Sequence, residues 1–387
     1  MMSPEDLRSG GLVAIVGAGP AGATLARLLQ MRGFTVQVIE RDASSTARPQ
    51  GGSLDLRPDS GQRAVDEAGL ADAFARASRS EAKAFRMIDS QGHDLPGMGE
   101  ETHEDPGPEI DRGDLRQLLL DSLAPGTVAW GHVLQEVRPE PDGSWRLDIK
   151  DRAPVIADLV VGADGTGSRV RRRLTPVQPR YTGITMLAAN LRRDLWRGSE
   201  IDKTLGEGSV MFAGGEKTIF VQRCNHDLIL LYYSMAVGEG WPKTAGFALD
   251  DRKAVMAAVS GAYRDWSPGV MAMLTQVEDT FQLWPTSVMP PDTRWDTQPG
   301  LTMLGDASHV MPPFTGKGVN LAMLDALELA DALSDRAAGD VALAIEDFEA
   351  RMQARTSSEI TACLAIGQQM YGIDLDFGAP ASRSTDA

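Results

Sequence analysis

The N-terminal stretch alternates apolar runs with a glycine-rich turn and an amphipathic segment. The apolar run Leu12–Val16 is followed at once by residues 17–22, Gly-Ala-Gly-Pro-Ala-Gly. Residues 23–31 have the spacing of a helix with one apolar face, and a second apolar run, Thr35–Ile39, ends in Glu40. Short apolar runs bounded by glycine are typical of buried strands, and a period near 3.6 residues indicates a helix. The pattern therefore predicts strand, turn, helix and strand.

The residues of this turn suit the phosphates of a dinucleotide. Gly17 allows the tight turn, Gly19 lets the backbone approach a pyrophosphate, and Gly22 permits close packing of the helix on the strand. The helix N-terminus adds unpaired N–H groups and a positive dipole end. Glu40 stands about 20 residues downstream, where a carboxylate accepts hydrogen bonds from an adenosine ribose. The pattern predicts a dinucleotide site, without separating FAD from NAD.

Further along, an apolar run interrupted only by Asp158 again ends in an acid and a glycine. Residues 157–161 are followed by Gly-Ala-Asp164-Gly, as expected of a strand buried in a parallel sheet. Before it, residues 128–161 read as short strands, and a helix is predicted over 112–123. Arg112 in the first turn of that helix opposes the helix dipole. An anionic ligand would compensate this charge, and a surface salt bridge would do so equally well.

The pattern of apolar and polar residues changes after a proline-containing linker at residues 175–179. Segments 184–191, 209–212, 218–222, 228–235 and 280–283 predict an antiparallel sheet, with one helix at about 252–263. This region reads as an inserted β-rich domain. Its aromatic residues, Phe212 and Tyr233 among them, either line a pocket for a flat organic substrate or form ordinary core.

Residues 301–320 predict a strand, a loop and a helix. Asp306 follows the strand end, where a carboxylate can accept hydrogen bonds from a polyol, and Gly316 and Gly318 leave room for a flat ring. The helix that starts near Val319 directs its positive end at the same place. A plain strand-to-helix connection is the alternative. Downstream, a long amphipathic helix over 341–369 is expected to brace the domains, and residues 379–387 are expected to be frayed.

Composition excludes several classes of partner. A net charge of −16 repels nucleic acid and anionic lipid. Two distant cysteines and five histidines without helical metal-site spacing argue against disulfides and metal. No apolar run approaches the roughly 20 residues of a membrane span, and the N-terminus is polar. A cytoplasmic monomer without nucleic-acid, membrane or metal partners is expected.

Three separated patches together resemble one enzyme family. They are the Gly17–Gly22 turn with Glu40-Arg41, the Asp164-Gly165 pair, and residues 305–320, Gly-Asp-Ala-Ser-His-Val-Met-Pro-Pro-Phe-Thr-Gly-Lys-Gly-Val-Asn. Over nearly the whole chain they are similar to the group A flavoprotein monooxygenases, of the p-hydroxybenzoate hydroxylase type. Residues 40–42, 51–56, 109–116 and 310–320 are most similar to the tetracycline-inactivating branch.

The resemblance implies an α/β fold with three parts. A Rossmann-like FAD-binding domain would comprise residues 1–175 with 285–335. A β-sheet substrate domain would comprise 176–284 with part of 80–108, and a C-terminal bridging helix would cover 340–370.

The resemblance also implies the chemistry. NADPH would bind transiently and reduce FAD, and a flavin C4a-hydroperoxide formed with O₂ would hydroxylate an electron-rich phenolic or enolic polycyclic compound. No side chain would be an obligatory acid or base, and His309 is interpreted as a structural hydrogen-bonding residue. Glu40 would hold the adenosine ribose and Arg48 would lie near the flavin and NADPH. The remaining FAD contacts would come from Arg41, Asp55, Arg112, Asp164, Asp306, Gly316, Gly318, Val319 and Asn320, and the substrate wall from Phe212, Tyr233, Pro313, Phe314, Thr315 and Gly316.

The substrate is the open part of this interpretation. The polar residues that grip tetracycline in that branch correspond here to apolar positions near Ala188, Val210 and Leu231, and a site without those partners loses discrimination. Tetracycline is thus the leading candidate beside another aromatic polyketide, phenol or enol. A non-oxygenating flavoprotein and a protein that only sequesters a ligand are the alternatives. A flavin halogenase is disfavoured, because no Trp-x-Trp-x-Ile stretch is present.

Overall fold

The computed structural model describes residues 2–79, 85–95, 107–206, 208–225, 228–335 and 339–378. The predicted frayed tail, 379–387, and most of the segment 80–108 assigned to the substrate domain lie outside these ranges. Within them, no helix combines the length and apolar character that a bilayer crossing requires.

Sixteen strands are described in chain order: β1 (Leu12–Val16), β2 (Thr35–Ile39), β3 (Ser53–Asp55), β4 (Phe85–Asp89), β5 (Glu109–Asp111), β6 (Val128–Ala129), β7 (Leu134–Pro139), β8 (Trp145–Ile149), β9 (Val155–Ala157), β10 (Leu159–Gly162), β11 (Arg180–Leu191), β12 (Ser209–Gly214), β13 (Lys217–Cys224), β14 (Leu228–Ala236), β15 (Val277–Val288) and β16 (Leu301–Met303). The helices are α1 (Pro4–Gly10), α2 (Pro20–Met31), α3 (Gly61–Glu67), α4 (Ala71–Ala77), α5 (Arg112–Asp121), α6 (Arg171–Leu174), α7 (Arg193–Trp196), α8 (Glu200–Leu205), α9 (Trp241–Ala245), α10 (Arg252–Ala262), α11 (Pro268–Leu274), α12 (Asp306–His309), α13 (Gly318–Ser334) and α14 (Val341–Tyr371), with one 3₁₀ turn at Pro313–Thr315.

The apolar runs of the two chain ends meet in one parallel sheet. Its strand order is β16-β10-β1-β2-β6, and all pairs between neighbours are parallel. Val13 and Ile15 face a core shared with α2, α5 and α13, whereas Ala14 and Val16 face the small antiparallel sheet β7-β8-β9. Both faces are covered, which is why these strands read as unbroken apolar runs. The predicted α/β fold class is confirmed.

The middle of the chain forms a six-stranded sheet of order β15-β11-β14-β13-β12-β4. Every pair is antiparallel except β12 with β4. The five predicted segments all lie in its strands, but β15 runs from Val277 to Val288, so the predicted domain boundary at 284/285 falls inside a strand. One face packs on α8, α10 and α11, with Val255, Val259 and Leu274 fully buried there.

Helix α14 packs against both the parallel sheet's core and the six-stranded sheet. Its 31 residues correspond to a rod of roughly 46 Å at 1.5 Å per residue. Phe348 and Met352 pack into the core of the parallel sheet, whereas Tyr371 packs with Ile184 of the six-stranded sheet. The helix predicted over 341–369 is therefore observed with the same start and an end two residues later, at Tyr371.

Candidate functional site

A cavity of about 790 Å³ opens where the carboxyl ends of the parallel strands meet the six-stranded sheet. Its size falls in the roughly 300–1,000 Å³ range of small-molecule sites. The strand order places β10 and β1 side by side, and ligands of such sheets bind beyond these carboxyl ends. Twelve of the sequence-assigned residues line the cavity: Gly17, Gly19, Glu40, Arg41, Arg48, Arg112, Asp164, Asp306, Pro313, Gly316, Gly318 and Val319.

The glycine turn has the geometry that its sequence predicts. Gly17 adopts φ +107°, and a Cβ there would lie 2.3 Å from the Ala163 carbonyl oxygen. A Cβ on Gly22 would lie 2.0 Å from the Gly17 carbonyl oxygen, so glycine is needed there for α2 to pack against the turn. Gly22 does not line the cavity. Gly19 caps α2 and has nothing within 4 Å of its missing Cβ. The space beside the α2 N-terminus is thus open to an anion.

Glu40 closes this corner of the cavity. The Ala18 N–H donates to its Oε2 (2.7 Å) and the Asp42 N–H to its Oε1 (2.8 Å). A carboxylate has about four lone-pair positions, so both oxygens can still accept ribose hydroxyls. Sequence reasoning missed Arg116, which is buried, donates from Nε to the Ala18 carbonyl (2.8 Å) and lies 3.9 Å from Glu40. An arginine inside a helix gives no local signal of such a role.

Asp164 presents an unsatisfied oxygen. Its Oδ2 accepts from the Arg169 N–H (2.7 Å), while its buried Oδ1 has no hydrogen-bond partner within the described part of the chain. Burial raises the pKa of this carboxyl above its ordinary value. A hydroxyl donor from a ligand would satisfy Oδ1. This orphaned atom, together with the open space at Gly19, fits a dinucleotide such as FAD.

At the C-terminal corner, the 17-residue helix α13 begins at Gly318, on the cavity wall, beside Val319. Its first N–H groups and positive end thus lie at the cavity. Two predicted contacts lie behind this wall. Asn320 is buried, accepts from the Arg57 N–H (2.8 Å) and donates to the Asp55 carbonyl (2.9 Å), and Asp55 pairs with Arg57 (3.4 Å). Both residues clamp the strand β3 to α13 and do not line the cavity.

His309 has the structural role that the sequence analysis favours. Its Nε2 lies 2.5 Å from Asp325 Oδ2, and Arg355 of α14 contacts the other oxygen of Asp325 at 2.7 Å. Burial lowers the pKa of His309, but the Asp325 carboxylate outweighs this and raises it above the ordinary value. Asp325 also accepts from the Gly305 N–H (3.0 Å). The buried ion pair therefore holds the turn before Asp306.

The six-stranded sheet separates its aromatic residues by face. Phe212 and Tyr233 are fully buried under the helices, and the Tyr233 hydroxyl donates to the Leu274 carbonyl. The assignment of these two residues to the substrate wall is wrong, and the alternative of ordinary core holds. The opposite face carries Phe220, Tyr232 and Trp284.

The cavity wall on that opposite face comes from Gln282 and Trp284, two residues apart on β15. Of the apolar positions compared with the tetracycline-gripping residues, Ala188 shares this face because it pairs with Gln282 and Tyr232. Val210 and Leu231 belong to the helix-covered core. Side chains alternate between faces along a strand, and this alternation decides all of these placements.

Phe314 and Thr315 do not line the cavity, although their neighbours Pro313 and Gly316 do. The Phe314 ring lies against α14, with its centroid 5.0 Å from that of Tyr371. The expectation that Phe314 and Thr315 contact substrate is not met. Met311, Pro312 and Pro313 form the cavity wall here instead.

Comparison with known proteins agrees with this geometry. The sequence matches the family described as FAD binding domain over residues 12–203 and 292–345. Monooxygenase penA of Penicillium thymicola is 28% identical over 377 residues, 84% of this chain and 85% of that protein. The 3-amino-4-hydroxybenzoate 2-monooxygenase of Streptomyces cremeus is 28% identical over 365 residues, 92% of this chain and 86% of that protein. The solved tetracycline destructase Tet(51) superposes with a TM-score of 0.68 at 21% identity, over 94% of this chain and 91% of that chain.

Proposed function

Because this chain belongs to the FAD binding domain family and is an FAD-dependent monooxygenase, we propose that it hydroxylates an electron-rich phenolic or enolic polycyclic compound. Tetracycline-type antibiotics are the leading candidates. The observation that carries this proposal is the wall of the cavity beside the α13 N-terminus. Trp284, Met311 and Pro313 present apolar and flat surfaces there, as a polycyclic ring system requires.

The residues on the parallel-sheet side would hold the cofactor. The pyrophosphate would bind at Gly19 and the α2 N-terminus, and Glu40 would accept hydrogen bonds from the adenosine ribose hydroxyls. Asp164 Oδ1 would accept a hydrogen bond from a hydroxyl of the ribityl chain or the ribose. Arg41 and Arg112 would contribute positive charge near the phosphates. Asp55 and Asn320 act behind the wall by holding β3 against α13.

When bound, FAD would supply the redox chemistry, which is the acceptance of electrons from NADPH and the activation of O₂. The protein's own part is orientation, exclusion of water and charge. The α13 N-terminus beyond Gly318 would stabilise negative charge on the ring system beside it. Arg48, which is paired with Asp42 at 3.0 Å and half-exposed, would guide the anionic nicotinamide cofactor to the cavity. No side chain of the wall is required as an acid or base.

Substrate orientation would depend on few polar groups. Gln282 lines the cavity, and its side-chain amide makes no hydrogen bond within the described ranges. Gln50 donates to the Arg48 carbonyl (3.0 Å) and is therefore already engaged. The side of the wall formed by Trp284, Met311 and Pro313 is apolar. It also favours a second candidate, the hydroxylation of a different aromatic polyketide in biosynthesis, since an apolar wall would recognise flat shape more than one pattern of polar substituents.

Mass spectrometry of tetracycline after incubation with the protein, FAD, NADPH and air tests the proposal. A gain of one oxygen with matching NADPH consumption is expected. Product from another aromatic polyketide, with tetracycline unchanged, would favour the second candidate. Binding without NADPH consumption would identify a sequestering protein, and NADPH consumption without oxygenated product from any compound would contradict oxygenation.

A matched pair of variants controls for adventitious flavin chemistry. Gly19→Val fills the open space at the α2 N-terminus and should abolish FAD binding and turnover together. Gly238→Val also enters open space, but on an exposed turn away from the cavity, and should leave both unchanged.

A further inference from the structure

Four residues of α14, each four positions apart, contact the loop between α12 and α13. Glu359 pairs with Lys317 (2.9 Å), and Cys363 Sγ donates to the Pro312 carbonyl (3.2 Å). Gly367 and Tyr371 lie against the ring of Phe314. Residues four apart follow one side of a helix. The loop Pro312–Lys317 is thus fastened to α14 along most of its length.

Gly367 is the tightest point of this contact. A Cβ there would lie 2.8 Å from Phe314 Cε2, 3.1 Å from Cδ2 and 3.0 Å from Ile373 Cδ1. Glycine inside a helix is destabilising relative to alanine, so its presence in α14 has to be explained by packing. The Phe314 ring occupies the space that any side chain at 367 would take.

The opposite side of the same loop lines the cavity. Pro312, Pro313 and Gly316 form part of its wall, and α13 begins directly after the loop. Beyond Gly367, the Tyr371 hydroxyl lies 2.7 Å from Thr218 Oγ1, in β13 of the six-stranded sheet. A displacement of Phe314 therefore moves the cavity wall, while the end of α14 remains fixed to the sheet.

We propose that Gly367 is a positioning residue for the flavin side of the cavity: its missing side chain sets the place of Phe314, and through it the loop Pro312–Lys317 and the start of α13. This role lies outside the FAD-contacting residues and is independent of the identity of the substrate. It assigns to α14 a function beyond joining the two sheets.

FAD titration of the full-length protein with Gly367→Ala, followed by flavin fluorescence, tests the proposal. The dissociation constant should rise by at least about fivefold, the low end of what an additional methyl in a packed core does to an equilibrium constant. Amide hydrogen exchange of residues 312–320 should become faster in the FAD-bound state. The double variant Gly367→Ala/Phe314→Leu, which trims the opposing ring, should restore both quantities toward wild type.

The proposal is overturned if Gly367 is merely tolerated in α14 and does not position Phe314. In that case Gly367→Ala should raise the melting temperature through the higher helix propensity of alanine, and should leave FAD affinity and the hydrogen exchange of residues 312–320 unchanged. Gln369→Ala, on the exposed side of α14, is the matched control and should change neither FAD affinity nor loop exchange.

A second variant covers the case in which Gly367→Ala does not fold. Phe314→Ala leaves α14 intact and withdraws the ring from the loop side. Weaker FAD binding and faster exchange of residues 312–320 are expected. Wild-type values for both in this variant would contradict the proposal.

Discussion

The two faces of the six-stranded sheet carry the same kinds of residue in different surroundings. Tyr233 of β14 and Phe212 of β12 lie on the face covered by helices. Tyr232, also of β14, and Phe220 of the neighbouring strand β13 lie on the face toward the cavity. The Tyr232 hydroxyl accepts from the Gly52 N–H (3.0 Å), and so fixes the segment before β3. The comparison teaches that one face stabilises the sheet and the other shapes the site.

The largest expected effect separates two phenylalanines. Phe212→Ala should lower the free energy of unfolding by about 3–5 kcal/mol, because the fully buried ring leaves a cavity in a closed core. Phe220→Ala is the matched change on the other face, where the ring is only partly buried, and should lower it by roughly half as much. Urea denaturation of both variants measures the difference. Equal losses would show that the two faces are not distinct in packing.

Two glutamines on the cavity face are expected to have different roles, one in fold stability and the other in substrate recognition. Gln222 accepts from the Ser53 N–H (2.9 Å), so Gln222→Leu leaves a donor unpaired and should destabilise the fold by about 1–3 kcal/mol. Gln282→Leu should leave stability within about 0.5 kcal/mol and lower kcat/KM for the hydroxylated substrate by about two- to tenfold, the net value of one hydrogen bond. Denaturation and steady-state kinetics on both variants are the measurements. Unchanged kinetics for Gln282→Leu would remove it from substrate recognition.

The expected effect that is smallest at neutral pH concerns the adjacent tyrosines, because it appears only in alkali. Burial raises the pKa of Tyr232 to about 12 and raises that of Tyr233 above its ordinary value of 10. A raised pKa means that the native state keeps a proton which the unfolded state releases. Each tyrosine's contribution is therefore complete below pH 10 and is lost as pH rises from 10 through the folded pKa.

Either Tyr232→Phe or Tyr233→Phe should accordingly flatten the decline of stability above pH 10 by about 1.4 kcal/mol per pH unit. Phenolate absorbance and denaturation at a series of alkaline pH values check this. Titration of Tyr232 near its ordinary value in the native protein would show that the cavity face is wetter than its burial indicates.

The same sheet shows where sequence reasoning stops. Residues 228–235 are apolar at almost every position because both faces are covered, so the alternation that would reveal inward and outward side chains is absent. The strand could be located, but its two tyrosines could not be assigned to faces. The glycine turn, Glu40 and Asp164 could be proposed from the sequence because each belongs to a short local motif, and Gly17, Gly19, Glu40 and Asp164 all line the cavity.

Residues that act across long sequence distances gave no comparable signal. Arg116 reaches the Ala18 carbonyl, Asn320 reaches the backbone of Asp55 and Arg57, and Gly367 meets Phe314. Each partner lies on another element, and only the packing of those elements defines the contact. The fold class and the cofactor followed from separated local motifs, whereas the substrate wall depended on the facing of strands that the sequence leaves undetermined.

The parallel sheet is completed only by β16, which pairs with β10 although five strands of the six-stranded sheet, β11 to β15, lie between them in the chain. During synthesis the edge of β10 stays without its partner until residues 301–303 emerge, and such non-local parallel pairing is slow. The corner after β16, which carries Asp306 and Gly318, emerges later still. The cavity that would hold FAD is therefore complete only after residues 301–318 have been synthesised, so loading of the cofactor would be a late step in the biogenesis of this chain.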